Sequence, residues 1–199
     1  TQAQTLAGHV IKTAIEKAKL EKEIVEDVIM GAALQQGTTT MNIARQSALR
    51  AGLPVTVPGM SVDRQCASGL MAIMIAGDRI AAGDIEIAVA GGGESISLVQ
   101  NEKANQFRAF DPWLVKHCPA IYMTMIETAE IVAERYGISR DAQDHYAAES
   151  HKRTKQAIEG DYFLKELAPL TTVKKVQDKE TGEISDQTVT LAFDEGLRS

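Results

Sequence analysis

Two cysteines in 199 residues are too few to staple a small secreted scaffold. A disulfide framework is therefore excluded, and a reducing compartment is the expectation. Long apolar runs are missing as well: none approaches the roughly 20 residues that a membrane-crossing helix needs. No basic stretch followed by an apolar one opens the chain, so no secretory signal is read and a cytoplasmic setting is expected, with an organellar matrix left open. Positive charge is in deficit, and the net charge of −6 argues against non-specific nucleic-acid binding. A polyanionic small ligand would need a local basic patch. What is present is ordinary for a globular protein: 44% hydrophobic and 24% charged residues, with length for one large domain or a domain carrying an insert.

Hydrophobic spacing organises the first half. Leu6, Val10, Ile11, Ala14, Ile15 and Ala18 recur at helical intervals, and the opening "TQAQT" offers N-cap residues. "DVIMG" (27–31) reads as a buried strand ended by glycine, and Thr39 to Ala51 as a helix stopped by Gly52 and Pro54. Met60, Val62 and Arg64 alternate as in a short strand. The run "SGLMAIMIAGDRIAAG" is apolar on nearly every side, which predicts a helix buried all round. "IEIAVAGGGES" follows as a fully buried strand entering a glycine turn. Helix and strand alternate with short connections, the pattern of a layered α/β domain.

The character changes near Gln100, where "QNEKANQFRAFDPWLVKHCPA" has little periodicity and reads as a loop or lid. Met125 to Arg135 and Ser139 to Glu159 are helical, with Gly137 closing one helix and Ser139 capping the next. "TTVKKVQD" and "SDQTVTLAF" flank a turn at Gly182 and predict a hairpin. The tail "FDEGLRS" lacks a compact terminal element and the first helix lacks a preceding strand, so both ends read as cut.

Cys66 sits where strand gives way to buried helix. A helix N-terminus exposes unpartnered N–H groups and about half a positive charge, which favours a thiolate. Ala67, Ser68 and Gly69 are small enough to admit a carbonyl group, and the same N–H groups could receive an oxyanion. The competing reading is a small buried hydrophobe, common for free cysteine. Position alone leaves both open.

Beyond that single residue, the sequence resembles the thiolases, the acetyl-CoA acetyltransferase and 3-ketoacyl-CoA thiolase family. "VDRQCASGLMA" is similar to their nucleophile segment and "AAGDIEIAVAGGGESIS" to the strand and glycine turn after it. "MIETAEIVAERYGISRDAQDHYA" resembles the start of their CoA-binding loop domain, and "AFDEGLR" their Asp-Glu-x-x-Arg. "DVIMGAALQQG" and "NIARQSALRAGLPVTVPG" fall in family order as well.

The resemblance implies a layered α-β-α fold of the thiolase N-terminal half, with a central sheet between helices and an inserted α/β loop domain. Residues 1–97 would form the core, with its first strand missing, and residues 98–199 a truncated CoA-binding insertion. Cys66 matches the acyl-accepting nucleophile, Met125 a methionine beside the pantetheine arm, and Arg198 an arginine against the adenine ring. Core packing for Met125 and a solvated charge for Arg198 are the plain alternatives. The implied chemistry is acyl transfer through a cysteine acyl-enzyme, run as a Claisen condensation or as thiolysis of a 3-ketoacyl-CoA. Coenzyme A and acyl-CoA are substrates in this scheme, with no separate cofactor, no metal, no nucleic acid and no membrane. A homodimer or homotetramer is implied by analogy.

Departures from the family pattern bear on activity. Asp63 stands where the family usually has Asn, and its carboxylate would oppose a thiolate if it pointed inward. Thr124 and Ile126 flank Met125 where His and Gly are frequent. The chain reads as an incomplete half, without the family's Gly-His-Pro histidine and second cysteine, and inactive by itself. A truncated, non-catalytic subunit or binding module is the alternative from another class, and a synthase-type condensing enzyme a third. His117 and Cys118 are neighbours in sequence, which rarely makes a nucleophile–base pair, and His9, His145 and His151 lack metal-ligand spacing. "GGGES" lacks the nucleotide-binding spacing and is expected to pack glycine backbone near the core.

Overall fold

The computed structural model describes residues 1–197, which fall into two compact units: 1–105 with 170–190, and 106–169 with 191–197. Arg198 lies outside the described residues.

The first unit is built around one strand. β1 (Asp27–Gly31) is buried at all five positions and lies between β2 (Gly59–Val62) and β3 (Ala88–Gly92), parallel to both. Its alternating side chains face two layers. Val28 and Met30 join Ile11 and Ile15 of α1 (Ala3–Ala18) and Ala44 and Ala48 of α2 (Ile43–Arg50). Ile29 faces the other way, against Ala72 and Ala76 of α3 (Ser68–Ala81). Helices therefore cover both faces of a parallel sheet, the α-β-α layering expected from the alternation of elements.

Several local expectations change. The N-cap residue of α1 is Gln2, within "TQAQT", but its side chain makes no cap bond, and the Ala3 N–H donates instead to Thr38 Oγ1 at 2.9 Å, a partner 35 residues away. α2 begins at Ile43 rather than near Thr39, because Met41 and Asn42 take left-handed φ values of 53° and 61°. Asn42 then caps the helix by accepting from Arg45 N–H.

α3 is not buried all round. Its sheet-facing positions are Ser68, Ala72 and Ala76, spaced i, i+4, i+8, and their small size lets the helix lie close on β1. The larger apolar side chains project elsewhere: Leu70 is 63% exposed, Ile73 53% and Met74 52%. A sheet offers a helix one surface, and an apolar sequence cannot say whether a second surface is present. β3 is half-buried rather than fully buried, since it occupies an edge of the three-stranded sheet.

Asp27 closes the far end of this layer. Its carboxylate accepts from the Val28 N–H at 2.7 Å and pairs with the Arg79 guanidinium, which also reaches Asp84 at 2.6 Å. The last turn of α3 is thus tied to the first residue of β1. β4 (Leu170–Gln177) and β5 (Ile184–Leu191) form the predicted hairpin, with Gly182 at φ 74° in its turn.

The second unit is helical. After α4 (Ile96–Val99) of the first unit, the stretch read as a loop holds α5 (Pro112–His117). Its start signal is an N-cap aspartate followed by proline: Asp111 accepts from Leu114 N–H at 2.9 Å. α6 (Met125–Tyr136) ends at left-handed Gly137, and α7 (Arg140–Glu159) is capped by Ser139, as the sequence predicts. No helix among the described residues is long and apolar enough to cross a membrane.

Candidate active site

Cys66 is exposed and lies in the turn joining β2 to α3. It precedes the N-cap residue, Ala67, so the thiol stands just before the first turn of the helix rather than within it. The turn is a knot of short hydrogen bonds. Gln65 takes a left-handed φ of 51°, and Asp63 Oδ1 accepts from Gln65 N–H at 2.8 Å. That contact turns the Asp63 carboxylate onto the backbone and gives it a partner within its own turn.

The amides after Cys66 are already engaged. Ala67 N–H donates to the Arg64 carbonyl at 3.1 Å and Ser68 N–H to the Gln65 carbonyl at 3.0 Å. These two groups hold the turn, so the expectation that they receive an oxyanion is corrected. Any oxyanion donors must come from elsewhere.

Ser68 is 3% exposed, and its hydroxyl works in both directions. It accepts from Arg64 N–H at 2.8 Å and donates to the Gln65 carbonyl at 2.5 Å. Beneath it, the strand ends come very close. A Cβ on Gly31 would overlap the Ser68 carbonyl group and the Gly69 nitrogen. A Cβ on Gly92 would lie 2.8 Å from the Gly31 oxygen and 3.0 Å from Gly69 Cα. The glycines at the ends of β1 and β3 therefore form a seat on which the start of α3 rests. Of the three glycines in "GGGES", only Gly92 has this role, since a Cβ on Gly91 or Gly93 meets nothing within 4 Å. In the sequence pattern Gly31 is a strand terminator and Ser68 has no role beyond small size. The signal that was available, a glycine ending each of two strands that flank the cysteine segment, becomes interpretable only when the strands are neighbours.

Met125 belongs to the second unit, as the first residue of α6, and is 70% exposed. Core packing is thereby set aside for it. Thr124, one of the departures from the family pattern, has a local explanation: it is the N-cap of a complete capping box with Glu127. The Thr124 N–H donates to Glu127 Oε2 at 3.0 Å and its hydroxyl does so at 2.8 Å, and these bonds hold the Glu127 carboxyl below its usual range. Ile126 is exposed beside it. His117 stacks on Trp113 with ring centroids 4.2 Å apart, and its Nδ1 lies 2.8 Å from the Trp113 carbonyl oxygen. Cys118 is exposed at the end of the same short helix. His117 is thus engaged with its own helix, in keeping with a packing role for this pair. The end of the described chain also has a place: Asp194, Gly196 and Leu197 line a hollow of about 180 Å³ with His151, Thr154 and Phe163.

Residues 1–198 match the model of the thiolase N-terminal domain. The chain belongs to the thiolase family. An acetyl-CoA acetyltransferase of Cupriavidus necator is 37% identical, over 98% of this chain and 53% of the relative. A 3-ketoacyl-CoA thiolase of Bacillus subtilis is 34% identical, over 94% and 47% respectively. An acetyl-CoA acetyltransferase of Escherichia coli is 38% identical, over 88% and 47%. The chain spans about half the length of the curated relatives it matches. Family membership and the layered fold agree with the motifs quoted from the sequence.

Proposed function

We propose that this chain supplies the acyl-accepting cysteine of an acyl-CoA acyltransferase of the thiolase type. One observation carries the reading: Cys66, in the segment that resembles the family's nucleophile segment, is exposed on a hydrogen-bonded turn at the head of α3. The Cys66 thiolate attacks the carbonyl carbon of an acyl-CoA thioester. The tetrahedral intermediate collapses, the bond to the CoA sulfur breaks, CoA leaves as thiol after taking a proton, and Cys66 keeps the acyl group. A second acyl-CoA, deprotonated at its α-carbon, then attacks the acyl-enzyme and yields a 3-ketoacyl-CoA. The reverse direction cleaves a 3-ketoacyl-CoA with CoA.

Because the Ala67 and Ser68 N–H groups are spent within the turn, we place the oxyanion donors on groups other than these two, and the proton-transferring base outside residues 64–69. Met125, exposed at the head of α6, is assigned to the pantetheine arm. Arg198 is assigned to the adenine ring on its match to the family motif, as a planar cation suited to stacking. CoA enters as substrate, and the scheme uses no resident cofactor. The uncovered side chains of Leu70, Ile73 and Met74 support a further layer of the whole protein, or a second subunit, against α3.

Incubating the intact protein with acetyl-CoA and mapping the acetylated peptide by mass spectrometry tests the reading. Acetylation is expected at Cys66 and is lost in Cys66→Ala. Acetylation of the same peptide in the mutant would refute the assignment.

A further inference from the structure

We infer that Ser68 is a positioning residue for Cys66, an inference that rests on the acyl-transfer reading and goes beyond it. Ser68 is the buried pivot between two rigid parts. Below it, the glycine ends of β1 and β3 leave no room for a side chain, so the backbone at Ser68 and Gly69 has a fixed seat on the sheet. Above it, the hydroxyl gathers Arg64 N–H and the Gln65 carbonyl, the two groups that bracket the left-handed residue preceding the cysteine. A non-glycine residue in the left-handed region costs about 1–3 kcal/mol and persists only where its surroundings over-determine it. Here the surroundings are the Ala67 and Ser68 amides within the turn, the Asp63 carboxylate on one side and the Ser68 hydroxyl on the other. Ser68 is also the only one of the two side chains that is buried, so water cannot replace its hydroxyl when it is removed. Removing it leaves the Arg64 N–H without its partner and the Gln65 carbonyl with the Ser68 N–H alone, so the turn is held by fewer bonds and gains room to shift. The thiol then remains present and exposed but no longer stands at one defined point over the seat, and small displacements of a reacting atom are costly to catalysis.

The test separates positioning from folding within one molecule, because Cys118 is a second exposed thiol on the other unit. Wild type, Ser68→Ala and Asp27→Asn are compared. Asp27→Asn weakens the ion pair at the opposite end of α3 and serves as a variant of reduced stability with an intact turn. In Ser68→Ala, single-turnover acetylation of Cys66 at saturating acetyl-CoA is expected to fall about ten-fold. Alkylation of Cys66 by iodoacetamide, run at a pH alkaline enough to ionise thiols, needs an accessible thiolate but no docked acyl group, and it stays within about two-fold, as does that of Cys118. In Asp27→Asn the melting temperature falls while acetylation of Cys66 per folded molecule is retained. Acetylation of Ser68→Ala within about two-fold of wild type overturns the inference alone. So does an equal loss in Asp27→Asn, which would mark the effect as general destabilisation. Absence of Cys66 acetylation in wild type overturns the acyl-transfer reading together with it.

Discussion

Val28 and Ile29, adjacent in β1, are both sealed from solvent, one against α1 and α2 and the other against α3. Ile131 and Val132, adjacent in α6, are both exposed, and neither α6 nor α7 has a buried residue. The two units hold their backbones in different ways. In the first, tertiary burial fixes strand and helix together, so the turn at Cys66, itself held by bonds within residues 63–68, rests on contacts distant in sequence. In the second, local devices carry the helices: the Thr124–Glu127 capping box, the left-handed Gly137, the Ser139 cap, and the ion pairs Arg140–Asp144 and Arg153–Glu149 along α7. Such exposed pairs are each weak and are screened by salt. On the proposed function, a thiol that must be held at one point suits the first kind of structure.

The largest expected effect breaks the comparison if the two units respond alike. Ile29→Ala removes a fully buried side chain and is expected to lower stability by about 3–4 kcal/mol in urea denaturation. Ile131→Ala, at a half-open position, should cost less than about 1 kcal/mol. Similar losses for both would show that α6 is sealed as firmly as β1. A smaller effect sharpens the contrast. Thr124→Ala removes the side-chain half of the capping box and should destabilise the start of α6 by about 1 kcal/mol. Hydrogen exchange would report this as faster exchange confined to residues 125–128, with β1 unchanged. Propagation of the change into β1 would contradict the local character assigned to the second unit.

The smallest effect is electrostatic. Glu127 is held below the usual carboxylate range first by the Thr124 backbone N–H and then by its hydroxyl. Glu149 is lowered first by its bond to Arg153 and then by the charge of Lys152. A depressed folded-state pKa adds stability that is present above the unfolded value and lost as pH falls through the folded one. Acidification below the ordinary carboxylate range should therefore loosen α6 and α7 before it loosens β1. Exchange rates followed between neutral and acid pH check the order, and earlier opening of β1 would reverse it.

The residues explain which features could be read in advance. β1 was legible to the residue because a short apolar run ended by glycine has few other uses. The ends of α6 and α7 were legible because capping is a local interaction between residues three or four apart. Asp111 and Pro112 were an available start signal for α5 that the low periodicity around them obscured. Hidden from sequence were the distant cap from Thr38 to α1 and the positive φ angles that delay α2. Hidden too was the open outer face of α3, since apolar character marks what can be buried without naming what buries it. The candidate site divides in the same way. Cys66, Met125 and Arg198 came from motif likeness, whereas Ser68 and the glycine seat came from coordinates.

By itself the sequence determined the family, the α-β-α alternation, the ends of α6 and α7 and the cysteine proposed as acyl acceptor, because each of these is written in neighbouring residues or collinear motifs. Only the tertiary structure decided that the amides after Cys66 are occupied, that Asp63 is turned onto Gln65, and that Gly31 and Gly92 leave space for the start of α3. The bonds at Asp63, Ala67 and Ser68 span only two or three residues, but they form because Gln65 takes a left-handed backbone that its residue type does not demand. The glycine seat depends on which backbone atoms from separate strands arrive within contact distance, a property of how the chain packs.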